Sequence, residues 1–299
     1  MKKVVILCGG IGGAKLVKGF YNRSDFDLTV VVNTGDDAFI HGIHLSPDLD
    51  SVIYALANKE GPFGWGRRGD SFKAHKIFSK LMKGFDFELG DMDLGLNLYR
   101  TQMLHEGKKL TEITHSISTF FGLGKNIYPM SDDNVRTNIK TKDGRLFDFQ
   151  EYFVLQKAIP KVQEVIYVGS NEATVSKEIL NKITDSELLV IAPSNPVLSI
   201  QPILSIDEYS MAIKNHSNVI LVSPFVGGET IKGPAAKNFR DLGFEPNSTG
   251  LMNFYSNINK IVVNIGDKQT SNGDRVIETK TIMKTYKDSR NLASFLSDL

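Results

Sequence analysis

Short apolar runs alternate with amphipathic stretches along most of this chain. VVIL (4–7), LTVVV (28–32), VIYV (165–168), LLVIA (188–192), VILV (219–222) and IVV (261–263) are nearly apolar throughout. Runs of this kind suit parallel strands covered by helices on both faces. Alternation with helical stretches predicts an α/β fold, a Rossmann-like doubly wound, mainly parallel sheet. Its crossovers are expected to be right-handed, with ligands at the C-terminal ends of the strands. The middle reads differently. Residues 71–122 hold three helical patterns, SFKAHKIFSKLMKGF, DMDLGLNLYRTQML and LTEITHSISTFFG, and no convincing strand. An all-helical insertion is expected there. A hairpin is expected over 134–155, with Asp143-Gly144 as its turn. No repeat, low-complexity segment or linker interrupts 1–299, so one domain is expected.

Composition narrows this little. The 299 residues carry a net charge of +1, so no bulk field points to nucleic acid or a membrane surface. No run of 18 uninterrupted apolar residues occurs, and MKKVVILCGG meets glycines where a signal sequence needs a cleavage pattern. A cytoplasmic protein is expected. The single cysteine, Cys8, excludes an internal disulfide and a cysteine zinc site. At a strand end it reads as a small core residue.

The first chemical signal is CGGIGGAKLVKG. Gly9, Gly10, Gly12 and Gly13 follow a strand and open a helix. Such a turn lets phosphate approach backbone amides at a helix N-terminus. The dinucleotide fingerprint fails, because Gly10-x-Gly12-x-x reaches Lys15 where a glycine is needed, and no G-K-[ST] follows. The turn therefore reads as a phosphate or nucleotide holder other than an NAD site, or else as a plain tight connection. Lys15 is a phosphate contact or a solvated helix lysine.

The second signal is VVNTGDDAFIHGIHLSPDLDSV, which holds Asp36, Asp37, Asp48 and Asp50. Ser46 as N-cap and Pro47 as N1 predict a helix start there. Asp48 and Asp50 then fall in the first turn, as dipole partners or as a hard-cation or hydroxyl-activating site. Two residues apart, they point about 200° apart around the axis. His41 and His44 lack a third ligand nearby and read as packing residues. Further candidates are Trp65, Arg67, Arg68 and Asp70 in GWGRRGDSF, Asp91 and Asp93 in ELGDMDL, Ser194 and Asn195 in APSNPVLSI, and Lys232 before a helix in KGPAAKNF.

Together these stretches resemble the 2-phospho-L-lactate transferase (CofD-like) family of coenzyme F(420) biosynthesis. The matching segments are CGGIGGAKLVKG, VVNTGDDAFIHGIHLSPDLDSVIYAL, GWGRRGDSF, LGDMDL with RTQML, YPMSDDNVRT, FQEYFV, IAPSNPVLSIQPIL and VSPFVGG with KGPA. The resemblance implies an acceptor, 7,8-didemethyl-8-hydroxy-5-deazariboflavin, and a guanylylated phospho-acid donor of the lactyl or enolpyruvyl kind. The terminal ribityl hydroxyl attacks the phosphorus bearing the three-carbon acid, GMP leaves, and Mg²⁺ assists. It also implies a homodimer. By motif it makes Asp48 and Asp70 magnesium ligands and gives Asp50 the acceptor's hydroxyls. Gly10, Gly12, Gly13, Ser194 and Asn195 hold the guanylate, and Lys15, Asp91 and Lys232 join the same binding set. Two positions depart from the pattern. Met92 stands where the family often has a basic residue in LGDRDL or LGDKDL, so that basic contact is either missing or supplied by Arg67 or Arg68. Asn264 stands where an aspartate is usual, with Asp267 close in sequence. The competing class is a nucleotide-sugar-binding regulator of the gluconeogenesis-factor type, which shares the glycine start and the acidic loop.

Overall fold

The computed structural model describes residues 1–21, 23–62, 64, 66–82, 87–124, 126–267 and 270–299. Trp65 lies outside the described residues. The elements begin β1 (Lys2–Cys8), α1 (Gly10–Phe20), β2 (Phe26–Val32), β3 (Ala38–Ile40), β4 (Ile43–Leu45) and α2 (Pro47–Leu56). Three helices follow, α3 (Lys73–Leu81), α4 (Asp91–His105) and α5 (Leu110–Phe120), with no strand between them among the described residues. Then come β5 (Ile127–Pro129), β6 (Arg136–Thr141), β7 (Leu146–Asp148), β8 (Val162–Val168), α6 (Lys177–Thr184) and β9 (Leu188–Ile191). The last part holds α7 (Gln201–Leu204), α8 (Asp207–Asn215), β10 (Val219–Val222), β11 (Phe225–Val226), β12 (Glu229–Thr230), α9 (Ala235–Asp241), α10 (Ser248–Phe254), β13 (Lys260–Asn264), β14 (Val276–Thr279) and α11 (Tyr286–Ser297).

Seven strands form one sheet in the order β14-β13-β10-β9-β1-β2-β5, every neighbouring pair parallel. Both faces are covered, as the unbroken apolar runs require. Val5 and Leu7 of β1 enter one core, and Val4, Ile6 and Cys8 enter the other. The strand path runs from β1 outward to β5, then returns to the far side of β1 as β9. The order in which strands are added therefore reverses between β1 and β9, the place where an α/β sheet opens a crevice at its strand ends.

One strand assignment from the sequence is corrected. VIYV (165–168) belongs to β8, which pairs antiparallel with β6 in a separate sheet of order β7-β6-β8. Ile166 and Val168 are exposed there, so the run is covered on one side only. The short edge strands β5 and β14 were not apparent from the apolar runs. Asp143-Gly144 does turn the chain between β6 and β7, with Gly144 at φ 85°. Among the described residues no helix is long and apolar enough to cross a membrane.

Candidate active site

Sheet geometry brings the glycine turn and the PSNP loop face to face. Gly9 N donates to Ser194 Oγ (3.1 Å), and that hydroxyl donates back to Gly9 O (2.7 Å). The glycines are set by this contact. Gly10 has φ 61°, a left-handed conformation that side chains resist. A Cβ on Gly12 would run into the Pro193 carbonyl oxygen, and one on Gly13 would lie 2.7 Å from Ser194 Oγ. Asn195 accepts from Val197 N (3.0 Å) and Leu198 N (3.1 Å). The Ser194 side chain is thus bonded to the glycine turn and the Asn195 carbonyl to its own loop.

Asp48 reaches this turn from α2. Gly10 N donates to its Oδ1 (2.6 Å) and Asn33 Nδ2 to its Oδ2 (2.9 Å). The same Asn33 amide donates to Asp36 Oδ1 (3.2 Å), so two buried carboxyls converge on one nitrogen. Burial pushes the Asp48 carboxyl up to about 6, against the pull of its hydrogen bonds. Asp36 is likewise pushed up, by burial and then by the Asp48 charge. Ser46 does stand before α2, and Pro47 does begin it, but the Ser46 hydroxyl makes no cap bond. It donates instead to Asp37 Oδ2 (2.7 Å). Burial raises Asp37 to about 7 and leaves its Oδ1 without a hydrogen-bond partner. His44 lies 3.7 Å from Asp37 and is held neutral, its pKa lowered to about 3 by burial and by Arg100 and Arg136.

Asp50 faces the other way. It forms an ion pair with Arg100 of α4, and Arg100 in turn donates to Asn97. Burial raises the Asp50 carboxyl and the guanidinium opposes that rise. Next to them, Tyr54 OH donates to Asp93 Oδ1 (2.6 Å), and burial followed by the Asp50 charge lifts Asp93 to about 6.

Asp70 and Asp91 meet at the starts of α3 and α4, each serving the other's helix. Asp70 accepts from Met92 N (2.8 Å) and Asp93 N (3.0 Å), and Asp91 accepts from Lys73 N (3.1 Å) and Ala74 N (2.9 Å). Asp70 also accepts from Ser71 N (2.9 Å). Both are helix caps made across the chain, and among the described residues no hydrogen bond joins them to Asp48. On the opposite flank Lys15 Nζ donates to Met283 O (2.9 Å). Burial lowers its proton affinity, and the Lys232 charge lowers it further. Asn264 Oδ1 accepts from Thr281 N (3.3 Å), and Asp267 Oδ1 from Gly227 N (2.9 Å), each holding a loop. Asn33, Asn97, Arg100 and Arg136 were absent from the sequence candidates. Asp93, Asn97 and Arg100 form a polar i, i+4, i+7 stripe, which is a readable sign of one functional helix face.

Comparison with known proteins agrees with this architecture. The sequence model of the family described as 2-phospho-L-lactate transferase CofD matches residues 4–293. A 2-phospho-L-lactate transferase of Methanopyrus kandleri is 37% identical, over 97% of this chain and 95% of its own. The protein of that name from Methanocaldococcus jannaschii is 36% identical, over 97% and 96%. A solved structure of a UPF0052 family member from Bacillus halodurans shares the fold. Its TM-score is 0.68 at 16% identity, and 99% of each chain is covered. By this match over nearly its full length, and with the sheet, glycine turn and acidic loop described above, this chain belongs to the 2-phospho-L-lactate transferase CofD family.

Proposed function

We propose that the protein transfers a 2-phospho-L-lactyl or phosphoenolpyruvyl group from a guanosine diphosphate-linked donor to the ribityl hydroxyl of 7,8-didemethyl-8-hydroxy-5-deazariboflavin, releasing GMP. One observation carries the reading: the Asp48 carboxylate sits on the amide of Gly10, in the turn that would cradle phosphate. A carboxylate and a diphosphate side by side repel unless a cation lies between them. The surroundings fit that demand. Asp36, Asp37, Asp48 and Asp50 are all buried, while the one buried arginine among the described residues, Arg100, is paired with Asp50, and Asp37 Oδ1 has no hydrogen-bond partner. Magnesium takes one or two carboxylates plus substrate phosphate oxygens, which suits so sparse a set. Asp48 would hold it, with Asp36 the second carboxylate, since the Asp70 oxygens are engaged by α4. Bound there, Mg²⁺ would neutralise charge on the diphosphate.

The chain's own groups account for the rest. Amides of the glycine turn, with Lys15 and Lys232, orient the diphosphate. Asp50, fixed by Arg100, receives the ribityl hydroxyl and takes its proton. The hydroxyl oxygen bonds to the phosphorus bearing the three-carbon acid as the bond to GMP breaks. Phosphoryl transfer needs positioning and charge neutralisation more than a covalent nucleophile. An apolar cleft of about 110 Å³, lined by Ile43, Leu45, Phe78 and Leu94 among others, gives the flat acceptor an apolar wall. A second copy of the chain as partner is part of this proposal. The test is to mix protein, Mg²⁺, deazaflavin and each donor, and to weigh the product by mass spectrometry. A deazaflavin heavier by the phospho-acid supports the reading; unchanged deazaflavin with both donors refutes it.

A further inference from the structure

FQEYFV is the motif that the site has so far left unexplained. It follows β7 as a π-helical turn, Glu151–Leu155, begun by Glu151 N donating to Asp148 Oδ1 (2.7 Å). Phe149 stacks on Phe153 with ring centroids 5.3 Å apart, which fixes the rotation of the turn. Two buried polar side chains leave it in different directions. Gln150 Nε2 donates to Asp36 O (2.8 Å), in the acidic loop after β2. Tyr152, fully buried, accepts at its hydroxyl from Asn238 Nδ2 (2.9 Å). Asn238, also fully buried, accepts from Asn195 Nδ2 at 3.5 Å, in the loop after β9. The strand order β9-β1-β2 puts these two loops on either side of the glycine turn.

We propose that Gln150 and Tyr152 are positioning residues, two arms of one strut that sets the gap between the acidic loop and the PSNP loop, and so the width of the phosphate cradle. The end of the turn supports this. Lys157 and Ala158 both have positive φ, 51° and 52°, an uncommon conformation that the surrounding contacts must hold. Tyr152 OH lies 3.3 Å from Ala158 O and 3.2 Å from Pro160 O, and Lys237 Nζ donates to Pro160 O (2.7 Å). The strut is thus anchored at its back as well as at its two tips. Its kinetic meaning rests on the transferase reading above, but its mechanical meaning does not.

The test compares Tyr152→Phe and Gln150→Ala with Tyr209→Phe. Tyr209 is equally buried and loses an equivalent bond, OH to Met130 O (2.7 Å), outside the strut. Hydrogen exchange needs no substrate. Tyr152→Phe is expected to speed exchange at Val197 and Leu198, whose amides Asn195 caps, by about tenfold, a change of about 1.4 kcal/mol. Gln150→Ala is expected to do the same at Gly35 and Asp37, and Tyr209→Phe at neither loop. In turnover, both strut variants should raise the KM for the guanylylated donor by about tenfold or more, as small displacements of reacting groups do. The acceptor's KM should stay nearly unchanged. If all three variants lower Tm alike and leave both loops and the donor KM unchanged, the strut is only packing and the proposal falls. If exchange responds as expected but the wild type turns nothing over, the strut stands and the transferase reading fails.

Discussion

Asp48 and Asp50 illustrate what single residues decide. Two positions apart on α2, they have separate partners: Asn33 and Gly10 for one, Arg100 for the other. Asp48→Asn is therefore expected to weaken GDP–Mg²⁺ binding and nearly abolish turnover. Asp50→Ala should weaken deazaflavin binding and cut turnover about 10²- to 10⁴-fold, the usual range for a lost acid–base group. Calorimetry with GDP and deazaflavin fluorescence separate the two effects; equal loss of one ligand in both variants would end the division. This divergence was legible in the sequence, because helix geometry alone forces it. Arg100 was half legible, as part of a polar stripe on α4. Asn33 was not, since an asparagine after a strand says nothing of two carboxyls 3 and 15 residues further on.

At the scale of elements, the glycine turn was readable because four glycines in five residues have few other uses, yet their reason was hidden. Gly12 and Gly13 make room for Pro193 and Ser194, about 180 residues away, which no local pattern reports. The sheet's two edges escaped notice because β5 has three residues and β14 four, too short to stand out. VIYV misled because four apolar residues do not say whether one face or both are covered. The crossed caps of α3 and α4 were equally invisible, Asp70 lying 22 and 23 residues from the amides it serves. They carry a prediction. Asp70→Ala should cost about 1 kcal/mol, the usual loss of a helix cap, read as a lower denaturation midpoint. Mg²⁺ affinity should hold if the residue is a cap alone; a large loss there would return Asp70 to the metal.

The whole molecule feels these buried acids through pH. Asp37, Asp48 and Asp93 have folded pKa values of about 7, 6 and 6, each raised from 3.8. The native state then holds protons that the unfolded chain has released, so stability falls as pH rises from about 4 to 7. His44, lowered from 6.5 to about 3, works against this below its unfolded value, but it is one group against several. The metal-free protein is expected to melt higher at pH 5.5 than at pH 8, and Mg²⁺ should flatten the difference by replacing protons at Asp48. A melting curve that rises steadily with pH in the absence of metal would contradict the charge balance described. One further consequence belongs to time. A ribosome delivers β1 and its glycines well before β9, and Ser194 arrives 185 residues after Gly9. The cradle's opening residues therefore wait, without their stapling partner, through the making of α2 to α6. The half of the contact that is made earlier cannot be finished until the later half is made.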